Sequence, residues 1–134
     1  MHENILIVDD EPHLAFLLAD VLADAGYDAH TIDNGTDAIE VAHREPPDLM
    51  LLDVNMPGID GYEVASRLKA DPATAAIPII MLSAQEGRGA RVIGLESGAE
   101  EYLTKPFDQV ELLARVRNLL FLRESAMDAG RHEH

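Results

Sequence analysis

The stretch Leu51-Leu52-Asp53-Val54-Asn55-Met56-Pro57-Gly58 decides the fold of this chain. It is an apolar run that ends in a carboxylate and is followed at once by a Pro-Gly turn, a pattern that is typical of a buried strand in a parallel sheet. Because an unpaired buried charge is costly, an acid at the end of such a strand is either paired or used chemically. We therefore predict that Asp53 is a reactive group at the carboxyl edge of a parallel sheet.

Strand-like and helix-like stretches alternate along the chain. Short apolar runs predict strands at residues 4–8, 27–32, 48–53, 78–82 and 101–104. Helical spacing with Pro and Gly boundaries predicts helices at 12–25, 36–44, 61–69 and 88–97, the last of these weakened by glycines. A fifth helix is predicted after Asp108, with an apolar stripe formed by Val110, Leu113, Val116 and Leu120. Five βα units without hairpin signals predict an α/β fold of the flavodoxin-like, doubly wound type, with a parallel sheet of order 2-1-3-4-5 and five helices.

Composition limits the classes of function. A chain of 134 residues is long enough for one domain, which we place at residues 1–124, with a C-terminal tail at 125–134. A net charge of -15 with only ten scattered basic residues argues against direct binding of nucleic acid. The start of the chain lacks a basic signal region, and no apolar run approaches the roughly 20 residues that cross a bilayer. We therefore expect a protein that does not contact a membrane. Because the chain has no cysteine, we also expect it to be cytoplasmic.

Acidic residues end two strands that the predicted order makes neighbours. Asp9 and Asp10 follow the first strand and Asp53 ends the third. Adjacent strands lie about 4.8 Å apart, so these carboxylates must crowd together and repel unless a cation joins them. Oxygen ligands of this kind suit Mg²⁺ or Mn²⁺. We predict that Asp10 and Asp53 bind the metal directly and that Asp9 binds through water.

Two further polar residues follow the next two strands. Ser83 comes just after the fourth strand, and Lys105 follows the fifth. The side chain of Lys105 is long enough to reach the acids. A carboxylate nucleophile, a divalent cation, a hydroxyl and a lysine form a set that suits phosphoryl transfer, in which positioning and charge neutralisation supply most of the catalysis. The product would be an acyl phosphate on Asp53.

These motifs resemble the receiver domain of two-component response regulators. The resemblance covers about residues 3–122 and is carried by Asp9-Asp10, the run around Asp53, Ser83-Ala84, and Gly98-Ala99-Glu100-Glu101-Tyr102-Leu103-Thr104-Lys105-Pro106-Phe107. It implies that Asp53 accepts a phosphoryl group from the phosphohistidine of a histidine kinase or a phosphotransfer protein. The chain would then be a signalling switch that catalyses only its own phosphorylation and slow dephosphorylation, not an enzyme with a separate substrate.

The resemblance also implies roles for individual residues. Mg²⁺ would be bound by Asp10, Asp53 and the backbone carbonyl of Asn55, and Ser83 and Lys105 would hold the phosphoryl oxygens. The Lys105-Pro106 bond would be cis, and Tyr102 would swing inward as Ser83 moves to the phosphate. The face made by helix 4, strand 5 and helix 5 would report this change to a downstream effector or to an output domain absent from this chain.

Two other functions and one structural question stay open. A phosphatase of the haloacid dehalogenase type also uses a strand-end Asp with Mg²⁺, but that class has an acid where this chain has Asn55. A pseudo-receiver that never accepts phosphate usually lacks one of the acids or the lysine, and all are present. The run Leu119-Leu120-Phe121-Leu122 adds to the apolar surface of the last helix, on which Leu112, Val116 and Leu119 begin a second stripe beside the first. Either both stripes are core, or the surplus leads into an output domain or forms a homodimer seam through helix 4, strand 5 and helix 5.

Overall fold

A five-stranded parallel sheet lies at the centre of the computed structural model, which describes residues 2–132 and the side chains of residues 2–124. The strands are β1 (Asn4–Val8), β2 (Asp28–Ile32), β3 (Leu49–Asp53), β4 (Ile79–Ser83) and β5 (Glu101–Thr104). The helices are α1 (Pro12–Asp24), α2 (Gly35–Arg44), α3 (Gly61–Ala70), α4 (Arg88–Glu96) and α5 (Gln109–His132). Each helix follows the strand of the same number, which confirms the predicted alternation.

The strand order is β2-β1-β3-β4-β5, and all neighbouring strands are parallel. This confirms the predicted doubly wound, flavodoxin-like order. The register pairs Val8 with Leu52 and Ser83 with Thr104, so the carboxyl ends of these four strands meet at one edge of the sheet. β3 and β4 are buried along their whole length, which explains why their sequences are continuously apolar.

Two apolar layers cover the two faces of the sheet. On one face, α2, α3 and α4 pack against β-strand side chains in a cluster that includes Ala42, Val64 and Leu68. On the other face, α1 and α5 pack in a cluster that includes Leu18 and Val116. Because both faces are covered by helices, the polar side chains that follow the strands are concentrated at the sheet edges.

The α5 stripe differs from the prediction. Leu112, Val116 and Leu120 are buried at a spacing of four residues, whereas Val110 is 75% exposed. The predicted place of Val110 in the core is therefore wrong, because the helix is rotated so that the four-residue row starting at Leu112 faces the sheet. Of the predicted second stripe, Leu112 and Val116 are buried and Leu119 packs against the core from a partly buried position. Phe121 and Leu122, at the end of the apolar run, are exposed, so the surplus apolar surface is only partly core.

The helix starts have identifiable caps. The Asp60 carboxylate accepts a hydrogen bond from the Glu63 amide at 2.9 Å and so caps α3. Glu11 caps α1 directly before Pro12. α4 begins after Gly87, which offers no side-chain cap, and this agrees with the prediction that α4 is a weak helix.

The last helix is longer than predicted. α5 continues to His132, past the boundary that we placed at residue 124, so most of the predicted tail is helical backbone. Residues 133–134 of that tail lie outside the described residues. Nowhere in residues 2–132 is there a helix with both the length and the apolar character needed to cross a membrane.

Candidate functional site

Three carboxylates meet at the carboxyl edge of the sheet. Asp9 and Asp10 follow β1, and Asp53 is the last residue of β3, the neighbouring strand. One oxygen from each residue lies within 4.8 Å of the others. Asp9 and Asp53 are only 3% and 5% exposed, whereas Asp10 is open to solvent. The strand order thus brings together the acids that the sequence places at these two strand ends.

The lysine that follows β5 reaches this cluster. The Lys105 ammonium lies 3.1 Å from Asp53 Oδ1 and 3.5 Å from Asp9 Oδ2. Its backbone amide donates a hydrogen bond to the Ser83 carbonyl at 2.7 Å, which fixes the start of its side chain beside β4. The Lys105-Pro106 peptide bond is cis. One ammonium therefore contacts two of the three carboxylates, and the cluster keeps an excess of negative charge.

Burial and the neighbouring charges together change the acidity of Asp53. Burial raises the pKa of the Asp53 carboxyl above its ordinary value, and the neighbouring Asp9 carboxylate raises it further. Hydrogen bonding and charge from Lys105 act in the opposite direction without cancelling the rise. The site is thus a place where added positive charge is favourable.

Asp9 differs from the other two acids in its hydrogen bonds. Its Oδ1 accepts from the Glu11 amide at 2.9 Å, and its Oδ2 faces Lys105. Both Asp9 oxygens are therefore already engaged by the protein. On Asp53, one oxygen contacts Lys105, and the Asp10 side chain is open to solvent.

Ser83 and Asn55 lie at the same edge of the sheet as the strand-end acids. Ser83 is the last residue of β4 rather than the first residue after it, and it is fully buried. Its hydroxyl oxygen accepts a hydrogen bond from the Gln85 amide at 3.0 Å. Asn55 is exposed in the loop after β3, two residues from Asp53, and its backbone amide lowers the pKa of the Asp53 carboxyl, against the larger effect of burial.

Tyr102 occupies an inward position on β5. Its ring is 3% exposed, and its hydroxyl donates to the Gln85 carbonyl at 2.8 Å. Gln85 thus links the two residues, because its amide is bonded to Ser83 and its carbonyl to Tyr102.

Burial raises the pKa of the Tyr62 hydroxyl on α3, and the neighbouring Tyr102 hydroxyl adds to this rise.

Sequence reasoning missed two residues that shape the site. Gly61 begins α3 so close to β3 that a methyl group on it would lie 2.5 Å from the Asp53 carbonyl oxygen. Glu11 both caps α1 and gives its amide to Asp9. The Pro-Gly turn before Gly61 signals a sharp return of the chain, but the close approach itself depends on how α3 packs.

Comparisons with known proteins agree on one family. A model of the response regulator receiver domain matches residues 5–117. The response regulator PleD of Caulobacter vibrioides is 48% identical over 120 residues, which are 89% of this chain and 26% of PleD. The chain spans about a quarter to about half the length of curated relatives such as this one, and several of these are named as DNA-binding regulators.

Solved structures agree with the sequence relatives. The signal receiver domain of a histidine kinase from Syntrophus aciditrophicus is 37% identical with a TM-score of 0.82, covering 88% of this chain and 89% of that one. The receiver domain of the sensor histidine kinase PA1611 from Pseudomonas aeruginosa, solved with a magnesium ion coordinated in its active-site cleft, is 30% identical with a TM-score of 0.83. It covers 90% of this chain and 98% of that one.

Proposed function

The chain belongs to the response regulator receiver domain family, and on that premise we propose that it is a phosphorylation-controlled switch whose phosphoacceptor is Asp53. The observation that carries the proposal is the contact of Lys105 with Asp53 and Asp9 at the carboxyl edge of the sheet. A carboxylate that is buried, strand-terminal and contacted by a lysine is positioned for nucleophilic attack. We take the domain to lie within residues 1–124.

The proposed reaction is transfer of a phosphoryl group from a phosphohistidine. An Asp53 carboxylate oxygen attacks phosphorus, the phosphorus–nitrogen bond of the donor breaks, and the imidazole leaves with the electron pair of that bond. An acyl phosphate forms on Asp53. Lys105 and the Ser83 hydroxyl are placed to hold phosphoryl oxygens, so that the charge developing in the transition state is stabilised by groups already in position.

The acidic cluster fits a divalent metal ion. Its donors are hard carboxylate oxygens within 4.8 Å of one another, and they carry more negative charge than Lys105 balances. We propose that Asp10, Asp53 and the backbone carbonyl of Asn55 would hold Mg²⁺, or Mn²⁺ in its place, with Asp9 acting through water. When bound, the ion would neutralise charge on the phosphoryl group. The magnesium ion described for the PA1611 receiver domain supports this assignment.

The output of the switch is proposed to lie on the face made by α4, β5 and α5. Ser83 and Tyr102 are already linked through Gln85, so a movement of Ser83 toward a phosphoryl group would change the surroundings of Tyr102. Exposed apolar side chains on α4 and α5, such as Ile93 and Val110, support this face as the contact surface. Its partner would be a downstream effector, an output domain or a second copy of the chain, and the phosphoryl donor would be a histidine kinase or phosphotransfer protein.

Incubation with acetyl phosphate and Mg²⁺, followed by intact-protein mass measurement, tests the function. We expect a gain of one phosphoryl group on the wild-type chain and none on Asp53→Asn. Asp28→Asn is a matched control, because it removes the same charge at the opposite edge of the sheet, and it should label normally.

Full labelling of Asp53→Asn would place the phosphate elsewhere. Continuous turnover of acetyl phosphate would indicate a phosphatase, and no reaction would indicate a pseudo-receiver.

A further inference from the structure

The two glycines inside α4 have different surroundings. Gly94 is the buried residue of this helix, and a methyl group on it would lie 2.6 Å from Tyr102 Cδ2 and 3.1 Å from Cε2. The same methyl group would lie 3.2 Å from Met81 Sδ. Gly89 is exposed, and a methyl group on it would meet nothing within 4 Å. Only at position 94 does the missing side chain make room for another residue.

The Tyr102 ring has little freedom to move away from such a methyl group. Its hydroxyl is bonded to the Gln85 carbonyl at 2.8 Å, and the ring is almost completely buried. Met81, on the fully buried strand β4, lies close to the same spot beside Gly94. A shift of the ring within the core would break the hydrogen bond or create a new overlap. Of the movements that would relieve the contact, rotation of the Tyr102 side chain out of the core is the one that we expect.

We propose that Gly94 is a positioning residue for Tyr102, because the absence of a side chain at position 94 leaves the space that the inward Tyr102 ring fills. The inference rests on the proposed function, because Tyr102 is the residue that would transmit a movement of Ser83 to the output face. Gly94 of α4 would then determine whether Tyr102 can take its inward position. It also gives the weakness of α4 a specific cause. The glycine that lowers helix propensity at position 94 is the one that lets Tyr102 approach.

A purely local explanation makes a different prediction. If Gly94 matters only through helix propensity, then Gly94→Ala and Gly89→Ala should both stabilise the chain to a similar extent, because each places a good helix former in α4. If Gly94 makes room for Tyr102, the two substitutions should diverge. Gly89→Ala is therefore the matched control for every measurement on Gly94→Ala.

Nitration of tyrosine by tetranitromethane reports whether Tyr102 is inward. Tyr27, Tyr62 and Tyr102 fall in three separate tryptic peptides, because Arg44, Arg67 and Arg91 lie between them. We expect initial nitration of Tyr102 to be slow in the wild type and in Gly89→Ala, and to rise roughly tenfold in Gly94→Ala, with Tyr27 unchanged. Protection of Tyr102 in Gly94→Ala equal to that in the wild type would overturn the proposal.

Removal of the Tyr102 ring supplies a second test that also covers the case of a poorly folded variant. In a Tyr102→Ala background, Gly94→Ala should no longer overlap with anything but the Met81 side chain. The substitution should then raise the urea midpoint, as Gly89→Ala does, whereas in the wild-type background it should lower it. The same sign in both backgrounds would overturn the proposal.

Labelling by acetyl phosphate separates this inference from the proposed function. If the wild-type chain gains no phosphoryl group, the function fails, and the nitration and urea comparisons still decide the role of Gly94. If the wild type is labelled but nitration and urea midpoints do not distinguish Gly94→Ala from Gly89→Ala, the inference fails and the function stands.

Discussion

Two lysine–carboxylate pairs in this domain have equally accessible lysines but different surroundings. The side chains of Lys69 and Lys105 are both 22% exposed, and each lysine contacts an acid from a distant part of the chain. Lys69, near the end of α3, is paired with Glu100, which precedes β5. Lys105, just after β5, is paired with Asp53 and Asp9. Exposure and the presence of an ion pair therefore do not distinguish a structural site from a functional one.

The hydrogen bonds do distinguish them. The Lys69 ammonium donates to the carbonyls of Ala75 and Ile77 as well as to Glu100, so its three hydrogens are all used. The second Glu100 oxygen accepts from the Ile79 amide at 2.7 Å. This pair is balanced in charge, and it connects α3, the loop before β4 and the start of β5. It stabilises the fold and leaves no capacity for a ligand.

The Lys105 site has the opposite character. The Lys105 ammonium contacts two members of a cluster of three carboxylates, and its hydrogen bonds run to these acids rather than to backbone carbonyls. The remaining negative charge favours a cation or the loss of a proton. An ion pair that leaves charge unbalanced in a buried place is thus the one to suspect of chemistry.

The largest expected effect separates the two lysines by reaction rate. Lys105→Met should slow phosphorylation of Asp53 by acetyl phosphate roughly 10²-fold, because it removes a charge placed where the phosphoryl oxygens would lie. Lys69→Met removes the same charge far from the acids and should leave the rate unchanged. Time courses of intact mass measure both variants. An equal rate for Lys105→Met and wild type would show that Lys105 has a structural role like that of Lys69.

The second largest expected effect is on the free energy of unfolding, and it is expected on substitution of Lys69. Lys69→Met should lower the free energy of unfolding by about 2 kcal/mol, because Glu100 and two backbone carbonyls lose their donor in a partly buried place. Urea denaturation measures this change. Lys105→Met is the matched control and should be affected less, because the bonds that the Lys105 ammonium makes run to carboxylates and its backbone amide is kept in the variant. A greater loss in Lys105→Met than in Lys69→Met would reverse the assignment of the structural pair.

Magnesium should stabilise the domain through the acids around Lys105 and not through the Lys69–Glu100 pair. At ten times its dissociation constant, Mg²⁺ should raise the free energy of unfolding by about 1.4 kcal/mol, measured against K⁺ at equal ionic strength. Asp10→Asn should weaken this stabilisation, because Asp10 is a proposed ligand. Glu100→Gln should leave it intact. A full response in Asp10→Asn would mean that the ion is held by other groups.

The Lys105 site could be predicted from the sequence, whereas the Lys69–Glu100 pair could not. The alternation of strand and helix patterns predicts five βα units of flavodoxin-like order, and that strand order brings Asp9, Asp10 and Asp53 together. Close approaches could not be predicted, because they depend on how helices pack against the sheet. The overlap of a side chain at Gly61 with β3, or at Gly94 with Tyr102, has no periodic signal in the sequence. The rotation of α5, which exposes Val110, is likewise decided by packing.

The smallest expected effect is the most direct test of the comparison. Neutral amides in place of Asp53 and Glu100 should change the free energy of unfolding in opposite directions. Asp53→Asn should raise the free energy of unfolding by about 1 kcal/mol at neutral pH without Mg²⁺, since burial makes the ionised carboxylate unfavourable. Glu100→Gln should lower it, since a balanced pair loses its charge. Paired urea denaturation curves measure both differences.

The pH dependence of the Asp53→Asn difference follows from the raised pKa of Asp53. Below the ordinary value of 3.8, Asp53 is protonated in both the folded and unfolded chains, and the wild type keeps its full stability. As the pH rises through the higher pKa of the folded state, the unfolded chain has already released its proton, and the wild type loses stability. Asparagine cannot ionise, so the advantage of Asp53→Asn should grow over this window and then become constant. If Asp53→Asn were instead less stable than wild type at neutral pH, then Asp53 and Lys105 would form a stabilising pair like Glu100 and Lys69. Unbalanced charge would then no longer mark the functional site.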